Sequence, residues 1–180
     1  MTTPNVQSLE RAIAILEAFS FQESEMGVQE LSEKVGLTPP TVCRLIKTLE
    51  RKGYLIKNSY NQKYRISLKI LNFAAAIYKQ LDIRNIAIDI MRKTRDTLKE
   101  TIYLDVIDNE ERVCVASIPG NQTLSLNVPV GQRSPFYAGA DSRMLLACLD
   151  RNLVYSYIDS INPNKYASNT ITKKQNFMNL

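Results

Sequence analysis

The sequence predicts an α+β fold, with helices in the first part of the chain and a small antiparallel sheet in the second. Apolar residues recur at helical spacing over most of residues 6–100, and they alternate with polar residues after residue 101. A short turn containing Gly36 separates two short helical patterns, and 44 % of the residues are apolar, which is enough for a core. These observations predict the fold class.

The first predicted helix covers residues 6–21, because apolar residues recur there on one face. A polar loop follows over residues 22–27, and a second, short helix covers residues 28–35. Gly36 then stands where a left-handed residue closes a helix. We therefore predict two helices, the second of which ends at Gly36.

A third helix begins directly after this turn, with Thr38 as its N-cap and two prolines in its first turn, where a missing N–H costs nothing. Gly53 ends it. Two short helices joined by a tight turn form a helix-turn-helix, whose second helix normally lies in the DNA major groove. The side opposite the apolar stripe presents groups that contact bases and phosphates: Thr41, Arg44, Lys47, Thr48 and Arg51.

The charge pattern agrees with a nucleic-acid ligand. The net charge is +5, yet residues 1–37 hold six acidic and two basic residues, whereas residues 38–66 hold seven basic residues and one acidic residue. A local basic block suits a surface that binds phosphates. An amphipathic helical hairpin with a solvated basic side is the alternative. The tight turn, the cap and the one-sided basic face favour the helix-turn-helix.

Two β-rich runs flank a polar turn directly after the third helix. They cover residues 54–57 and 63–66, with the turn at residues 58–62. A hairpin in this position is the wing of a winged helix-turn-helix. Lys57 and Lys63 stand near its tip, and we predict that they lie along the DNA phosphates.

Residues 68–81 are predicted to form a helix that is apolar nearly all round. Such a helix needs cover on two faces, and a second copy of itself is the obvious partner, so we predict a dimer. Asp82 is predicted to be the N-cap of a further helix over residues 83–100. The residues expected to face inward from that helix are Ile86, Ile90, Thr94 and Leu98.

The second part of the chain is predicted to hold an antiparallel sheet, with strands at residues 102–107, 112–117 and 124–128. The elements predicted after these strands are a loop at residues 131–139, a helix at 141–149, a polar loop at 162–169 and a helix that starts near Thr172. These elements leave the sheet with an unprotected edge. We therefore expect the chain to be truncated relative to a longer parent.

Composition excludes several kinds of site. The chain has no histidine, so a Ser-His-Asp or Cys-His catalytic site and a histidine-ligated metal site are impossible. Cys43, Cys114 and Cys148 lie far apart, so neither a disulfide framework nor a zinc site is indicated. We predict no catalytic residue, no metal and no cofactor. No apolar run approaches about 18 residues and no signal sequence is visible, so we expect a cytoplasmic protein without a membrane span.

Several motifs together resemble the IclR family of bacterial transcription regulators. The similarity is strongest in the first 70 residues and covers the whole chain. The motifs are an opening helix at residues 6–16, a helix-turn-helix at 30–37 and 41–49, a wing at 53–55 and 63–66, and a loop and helix start at 130–131 and 138–143.

The resemblance implies a winged helix-turn-helix over residues 1–67, a dimerising linker helix over 68–82, and a truncated GAF-like effector domain over 83–180. It also implies a repressor that binds a double-stranded DNA operator as a homodimer or a tetramer. The implied effector is a small molecule, often an organic acid in this family. The effector-site residues that the resemblance carries over are Gly139, Ala140, Leu124, Leu126 and Val128.

Gly139 has no side chain, so its backbone can approach a small anion closely, and the helix that follows adds a favourable dipole. A glycine that only permits the turn into the helix is the alternative.

Two departures from the family matter. Pro39-Pro40 replaces a common Lys-Ser pair, which puts a phosphate contact there in doubt. Family members are also longer, so we expect this chain to bind DNA but to respond weakly to an effector.

Two other functions stay open, a small α+β metabolic enzyme that does not bind DNA and a protein-interaction module. The absence of histidine, of a phosphate-binding glycine motif and of a nucleotide fingerprint argues against the enzyme. Winged helices sometimes bind proteins, but the basic block on the third helix favours DNA.

Overall fold

The computed structural model describes residues 5–122, 125–165 and 170–171. The chain divides into two compact units, Met1–Gln80 and Leu81–Leu180. The fold is α+β, as predicted, with helices in both units. In the part of the chain that is described, no helix is long and apolar enough to cross a membrane.

The first unit packs α1 (Gln7–Glu17), α2 (Val28–Val35) and α3 (Pro39–Arg51) around an apolar core. The fully buried apolar side chains of this core are Ile15, Leu31, Val42, Ile46 and Leu55. The α1 helix ends before the predicted limit at residue 21. The chain turns back there, since Ser20 N–H donates to Glu23 O at 3.2 Å and Glu23 N–H donates to Ser20 Oγ at 3.1 Å.

The turn between α2 and α3 is that of the predicted helix-turn-helix. Gly36 closes α2 with a φ of +66°, in the left-handed region that favours glycine. Thr38 holds the N-cap position of α3, but its hydroxyl lies 3.0 Å from Thr41 Oγ1 and makes no capping bond to the backbone. Pro40, the second residue of α3, has no N–H, so one of the two donors that this cap could serve is missing.

The predicted wing is confirmed. β1 (Leu55–Lys57) pairs antiparallel with β2 (Tyr64–Ile66). Met26, just before α2, forms a β-bridge with Tyr64. The Met26 N–H donates to Tyr64 O at 3.0 Å, and the Met26 carbonyl accepts Tyr64 N–H at 2.8 Å. The wing is therefore joined to the start of α2 as well as to the end of α3.

The predicted linker helix begins with a 3₁₀ turn, Leu68–Ile70, and continues as α4 (Leu71–Gln80). Ser67 caps the turn, since its Oγ accepts Lys69 N–H at 3.2 Å. Within α4, all of which is described, no residue is buried, and Phe73 and Ile77 are more than half exposed. Among the described residues, α4 thus presents an exposed apolar face that includes Phe73 and Ile77.

In the second unit, α5 (Asp82–Leu98) packs on the sheet through the face that carries buried Met91. The predicted inward face is wrong for Ile86, Ile90 and Leu98, which are 71 %, 63 % and 57 % exposed, while Thr94 is half-buried. Apolar residues stand on two sides of this helix, and spacing alone does not tell which side meets a sheet.

The ends of α5 also differ from prediction. Asp82 is the first residue of the helix and Leu81 occupies the cap position, so the predicted N-cap is wrong. At the other end, Lys99 has a φ of +62° and donates its N–H to Arg95 O at 2.7 Å, which ends the helix two residues early.

The sheet of the second unit runs β3 (Ile102–Asp108), β4 (Glu111–Ile118), β5 (Arg133–Pro135), with antiparallel neighbours. The first two strands lie where predicted. The predicted strand at residues 124–128 is wrong, because residues 125–128 form no strand and β5 lies in the predicted loop. Gly131, with a φ of +89°, turns the chain, and Gln132 O then accepts Cys114 N–H at 3.0 Å. That turn brings β5 alongside β4.

Helix α6 (Ala140–Ala147) lies close to its predicted position, and α7 (Arg151–Ser160) is a helix that the sequence prediction lacks. Asp150 starts α7, since its Oδ1 accepts Asn152 N–H at 2.8 Å. A second core gathers around these helices, with buried Phe136, Tyr137, Leu146, Tyr157 and Ile158. The predicted helix near Thr172 lies outside the described residues, as does part of the predicted polar loop.

Candidate nucleic-acid interface

The side of α3 that faces away from the core carries the groups predicted to contact DNA. Val42, Ile46 and Leu49 are buried on the opposite side, so packing fixes the rotation of the helix about its axis. The outward side presents Arg44, Lys47, Thr48 and Arg51 as exposed residues, with Thr41 half-buried and Thr38 exposed at the N-terminus.

The charges on this outward side are available to a ligand. Among the described residues, no ion pair involves Arg44, Lys47 or Arg51. Thr48 is partly engaged, since its Oγ1 donates to Arg44 O at 3.1 Å. A further basic residue, Arg11, lines the groove between α1 and α3 beside Arg44 and Thr48. Sequence reasoning missed Arg11, because only tertiary packing brings it to this face.

The two wing lysines differ in their surroundings. Lys57 Nζ lies over the ring of Tyr64, 5.7 Å from its centroid, whereas Lys63 Nζ lies 2.7 Å from Glu30 Oε1. A hydrogen bond from Gly27 N–H and the contact with Lys63 lower the pKa of Glu30. The charge of Lys63 is therefore matched by a carboxylate, and that of Lys57 is not matched by any described ion pair.

Glu25 fixes the tip of the wing. Its carboxylate accepts hydrogen bonds from Asn61 Nδ2 at 2.8 Å and from Asn58 Nδ2 at 3.3 Å, and these bonds lower its pKa. Sequence reasoning missed both Glu25 and Glu30. Glutamate at the third position of α2 is a local signal, since Glu30 Oε2 accepts the N–H of Gly27, the residue before the helix, at 2.6 Å, but the contact of Glu30 with Lys63 is long-range.

The linker joins the end of α3 through Lys69. Its Nζ donates to Lys52 O at 2.7 Å and lies 4.5 Å from the centroid of the Tyr54 ring. Tyr54 also stacks with Phe73 of α4, with ring centroids 6.2 Å apart. The start of the linker is thus attached directly to the C-terminal end of the helix predicted to read DNA.

The residues predicted for an effector site lie in the second unit. Gly139 has a φ of +100° and precedes Ala140, the first residue of α6. Val128 is buried, whereas Leu126 is 62 % exposed. Leu124 lies outside the described residues. The structure thus supports a special backbone conformation at Gly139, and it does not place Leu126 in an interior pocket.

A polar cluster joins β3 and β4 to the start of α6. Its members are buried Arg112 and Ser142 and half-buried Tyr103, Asp105 and Asp141. Arg112 Nη1 lies 2.5 Å from Asp105 Oδ2 and 2.9 Å from Asp141 Oδ2, and Arg112 Nε donates to Ser142 Oγ at 2.7 Å. Tyr103 OH donates to Asp141 Oδ2 at 3.0 Å, and burial together with this contact raises the pKa of Tyr103. Sequence reasoning missed this cluster, because its members come together only in the folded sheet.

Both units match models of one protein family. The model described as the IclR helix-turn-helix domain matches residues 8–59. The model described as bacterial transcriptional regulator IclR C-terminal matches residues 75–180.

Curated relatives agree with this match. The chain is 29 % identical over 171 residues to the HTH-type transcriptional regulator KdgR of Escherichia coli, covering 95 % of this chain and 65 % of KdgR. It is 31 % identical over 168 residues to the HTH-type transcriptional regulator KipR of Bacillus subtilis, covering 93 % of this chain and 66 % of KipR. The chain therefore spans slightly less than two thirds of the length of these relatives.

The fold also matches solved structures. An IclR homolog from Microbacterium hydrocarbonoxydans, complexed with 4-hydroxybenzoate, superposes with a TM-score of 0.80 at 20 % identity, covering 96 % of this chain and 71 % of that one. At this identity the likeness concerns the fold alone.

Proposed function

Because the chain belongs to the IclR family of bacterial transcription regulators, we propose that it is a sequence-specific DNA-binding regulator, a repressor, whose DNA binding a small metabolite modulates. The observation that carries the proposal is the unpaired basic side of α3, on a helix whose other side is buried. A regulator of this kind acts in the cytoplasm, where the chromosome lies.

On DNA, the outward side of α3 enters the major groove. Arg44 reads a base edge, because its planar guanidinium can donate two hydrogen bonds to a guanine. Lys47 contacts phosphate as a point charge, and Arg51 extends the same basic side. The hydroxyls near the start of the helix, on Thr38 and Thr41, add contacts at its N-terminal end.

The wing follows the DNA backbone beside the groove. Lys57 is its stronger phosphate contact, because no described carboxylate matches its charge. Lys63 must first separate from Glu30, so its net gain on binding DNA is smaller. The bonds from Asn58 and Asn61 to Glu25 hold the wing in one orientation before DNA arrives.

The functional unit is a homodimer or a pair of dimers. The exposed apolar face of α4, with Phe73 and Ile77, supports pairing with a second copy. Two copies present two α3 helices to two half-sites, which a single copy cannot do. Because Lys69 of the linker contacts the end of α3, pairing of two linkers would set the distance between the two α3 helices.

The second unit is the effector-binding domain, with the small molecule bound at the loop of Gly139 and Ala140. Support comes from the family match over residues 75–180 and from the φ of +100° at Gly139, a backbone conformation that favours glycine. Leu124, Leu126 and Val128 are proposed as apolar neighbours of this loop.

A gel-shift assay tests the proposal. Duplexes are selected from a random pool with the 180-residue chain, and the best is compared with a scrambled duplex at physiological salt. We expect binding to the selected duplex at least about 10³-fold tighter than to the scrambled one. Equal binding would contradict the proposal and favour the alternatives, a small metabolic enzyme or a protein-interaction module.

A further inference from the structure

The tip of the wing presents an aromatic side chain that the fold does not use. Tyr60 is 97 % exposed, the largest exposed fraction of any large apolar side chain among the described residues. Its backbone N–H donates to Asn58 Oδ1 at 3.0 Å, but its ring and hydroxyl make no hydrogen bond or ring contact within the described part of the chain. The ring and the hydroxyl of Tyr60 are therefore free to meet a ligand.

Polar side chains, and not Tyr60, fix the shape of the turn. Gln62 has a φ of +60°, and its backbone N–H donates to Asn58 O at 2.9 Å. The side-chain amides of Asn58 and Asn61 donate to the carboxylate of Glu25, which lies outside the wing. A turn bonded in this way loses little conformational freedom when it binds a partner, so the ring of Tyr60 is presented in advance.

The charge around Tyr60 suits a polyanion. Residues 54–67 contain three basic residues and no acidic residue. Two of the three, Lys57 and Arg65, are exposed and form no ion pair among the described residues. Exposed cations beside an exposed aromatic ring favour a nucleic acid over a protein partner, because lysine is depleted in protein interfaces.

We propose that Tyr60, on a turn that Glu25 positions, enters the DNA minor groove next to the major groove that α3 occupies, and that its hydroxyl donates to the acceptor atoms of A·T pairs. This inference rests on the proposed DNA-binding function. With α3 in the major groove, the wing lies over a phosphate backbone, and a side chain that projects from its tip reaches the minor groove beyond. That groove is about 6 Å wide, and A·T pairs present only acceptors in it, whereas G·C pairs add the amino group of guanine.

Duplexes that change the minor groove separately from the major groove test this contact. Three versions of the selected duplex carry A·T, G·C or inosine·cytosine pairs in the segments on either side of each half-site. Inosine lacks the amino group of guanine, so its pair resembles A·T in the minor groove and G·C in the major groove. In gel shifts, we expect the wild-type chain to bind the A·T and inosine versions about fivefold or more tightly than the G·C version. An inosine version that binds as weakly as the G·C version would overturn the proposal.

Tyr60→Ala then assigns the preference to one side chain. This variant should bind the three versions to within about twofold of one another, and its free energy of unfolding should stay unchanged because the side chain is exposed. Tyr155→Ala removes a partly exposed tyrosine from α7 and should keep the wild-type preference. A preference that persists in Tyr60→Ala would contradict the assignment. An equal loss on all three versions would place Tyr60 on the phosphates and likewise overturn it.

Glu25→Ala tests the positioning of the turn. Removal of a negative charge near DNA would by itself strengthen binding to all three versions. Loss of the two bonds from the asparagine amides should instead reduce the preference for the A·T version. Glu33→Ala is the matched control, since Glu33 is bonded to Gln29 on its own helix, and it should keep the preference. A full preference in Glu25→Ala would overturn the role given to Glu25.

The same gel shifts separate this inference from the proposed function. A wild-type chain that binds its selected duplex but does not distinguish the three versions would sink only the minor-groove contact. A wild-type chain that binds no duplex specifically would sink the proposed function itself.

Discussion

The two units of the chain use charge in opposite ways. In the first, Arg44, Lys47 and Arg51 stand exposed on α3, without an ion-pair partner among the described residues. In the second, Arg112 is buried and bonded to Asp105 and Asp141. An exposed, unpaired charge can meet a large polyanion, whereas a buried, paired charge fixes the geometry around it. The first arrangement suits the proposed DNA-binding surface, and the second fixes side chains in the interior.

The largest expected effect concerns the apolar part of the first unit's surface. Ile77→Lys places a charge on the uncovered face of α4, so it should dissociate the dimer and abolish binding to the selected duplex. Sedimentation velocity and gel shifts at micromolar concentration measure both effects. Asn72→Lys adds the same charge at an exposed polar position of α4 and serves as the control. A wild-type chain that already sediments as a monomer would sink the dimer.

The next largest effect is on stability, and it distinguishes a buried arginine from an exposed one. Arg112→Met leaves the carboxylates of Asp105 and Asp141 buried without their cation, so it should lower the free energy of unfolding by about 3–5 kcal/mol. Arg133→Met breaks exposed pairs with Asp108 and Glu111 and should cost only about 0–1 kcal/mol. Urea unfolding followed by tyrosine fluorescence measures both. Similar losses of unfolding free energy in the two variants would contradict the structural role of buried Arg112.

Arg44→Ala should weaken DNA binding and leave stability nearly unchanged, whereas Arg112→Met lowers stability. We expect it to weaken binding to the selected duplex by about 1–3 kcal/mol, because a base contact is lost. Its free energy of unfolding should change by less than about 0.5 kcal/mol, because the side chain is exposed and unpaired. Filter binding with selected and scrambled duplexes separates the two contributions. Equal losses on both duplexes would contradict a base-reading role.

The same contrast explains what the sequence predicts well. In the first unit the signals are local: Gly36 ends α2, prolines open α3, and a polar turn separates the wing strands. In the second unit, β5 is three residues long and exists because Gly131 turns the chain toward β4. Its sequence, Arg133–Pro135, carries no alternating pattern. Helix α7 did have a local signal, the capping residue Asp150, which periodicity alone does not use.

The functional residues divide in the same way. The outward side of α3 follows from helical spacing, because the apolar stripe dictates which residues face solvent. The pairing of Lys63 with Glu30 joins residues 33 positions apart, and that of Arg112 with Ser142 joins residues 30 apart. Contacts of this kind depend on tertiary structure, so no local pattern in the sequence could reveal them.

The smallest expected effect distinguishes the two wing lysines. Lys57→Ala should weaken binding to all duplexes alike and reduce the slope of log K against log salt by about 0.9, the value for one phosphate contact. Lys63→Ala should reduce the slope by less, because Glu30 already matches that charge at 2.7 Å. Glu30→Gln frees Lys63, so the slope should steepen in this variant and Lys63→Ala in that background should then cost as much as Lys57→Ala. Equal effects of the two lysines in the otherwise unchanged chain would show that DNA breaks the Lys63–Glu30 pair without penalty.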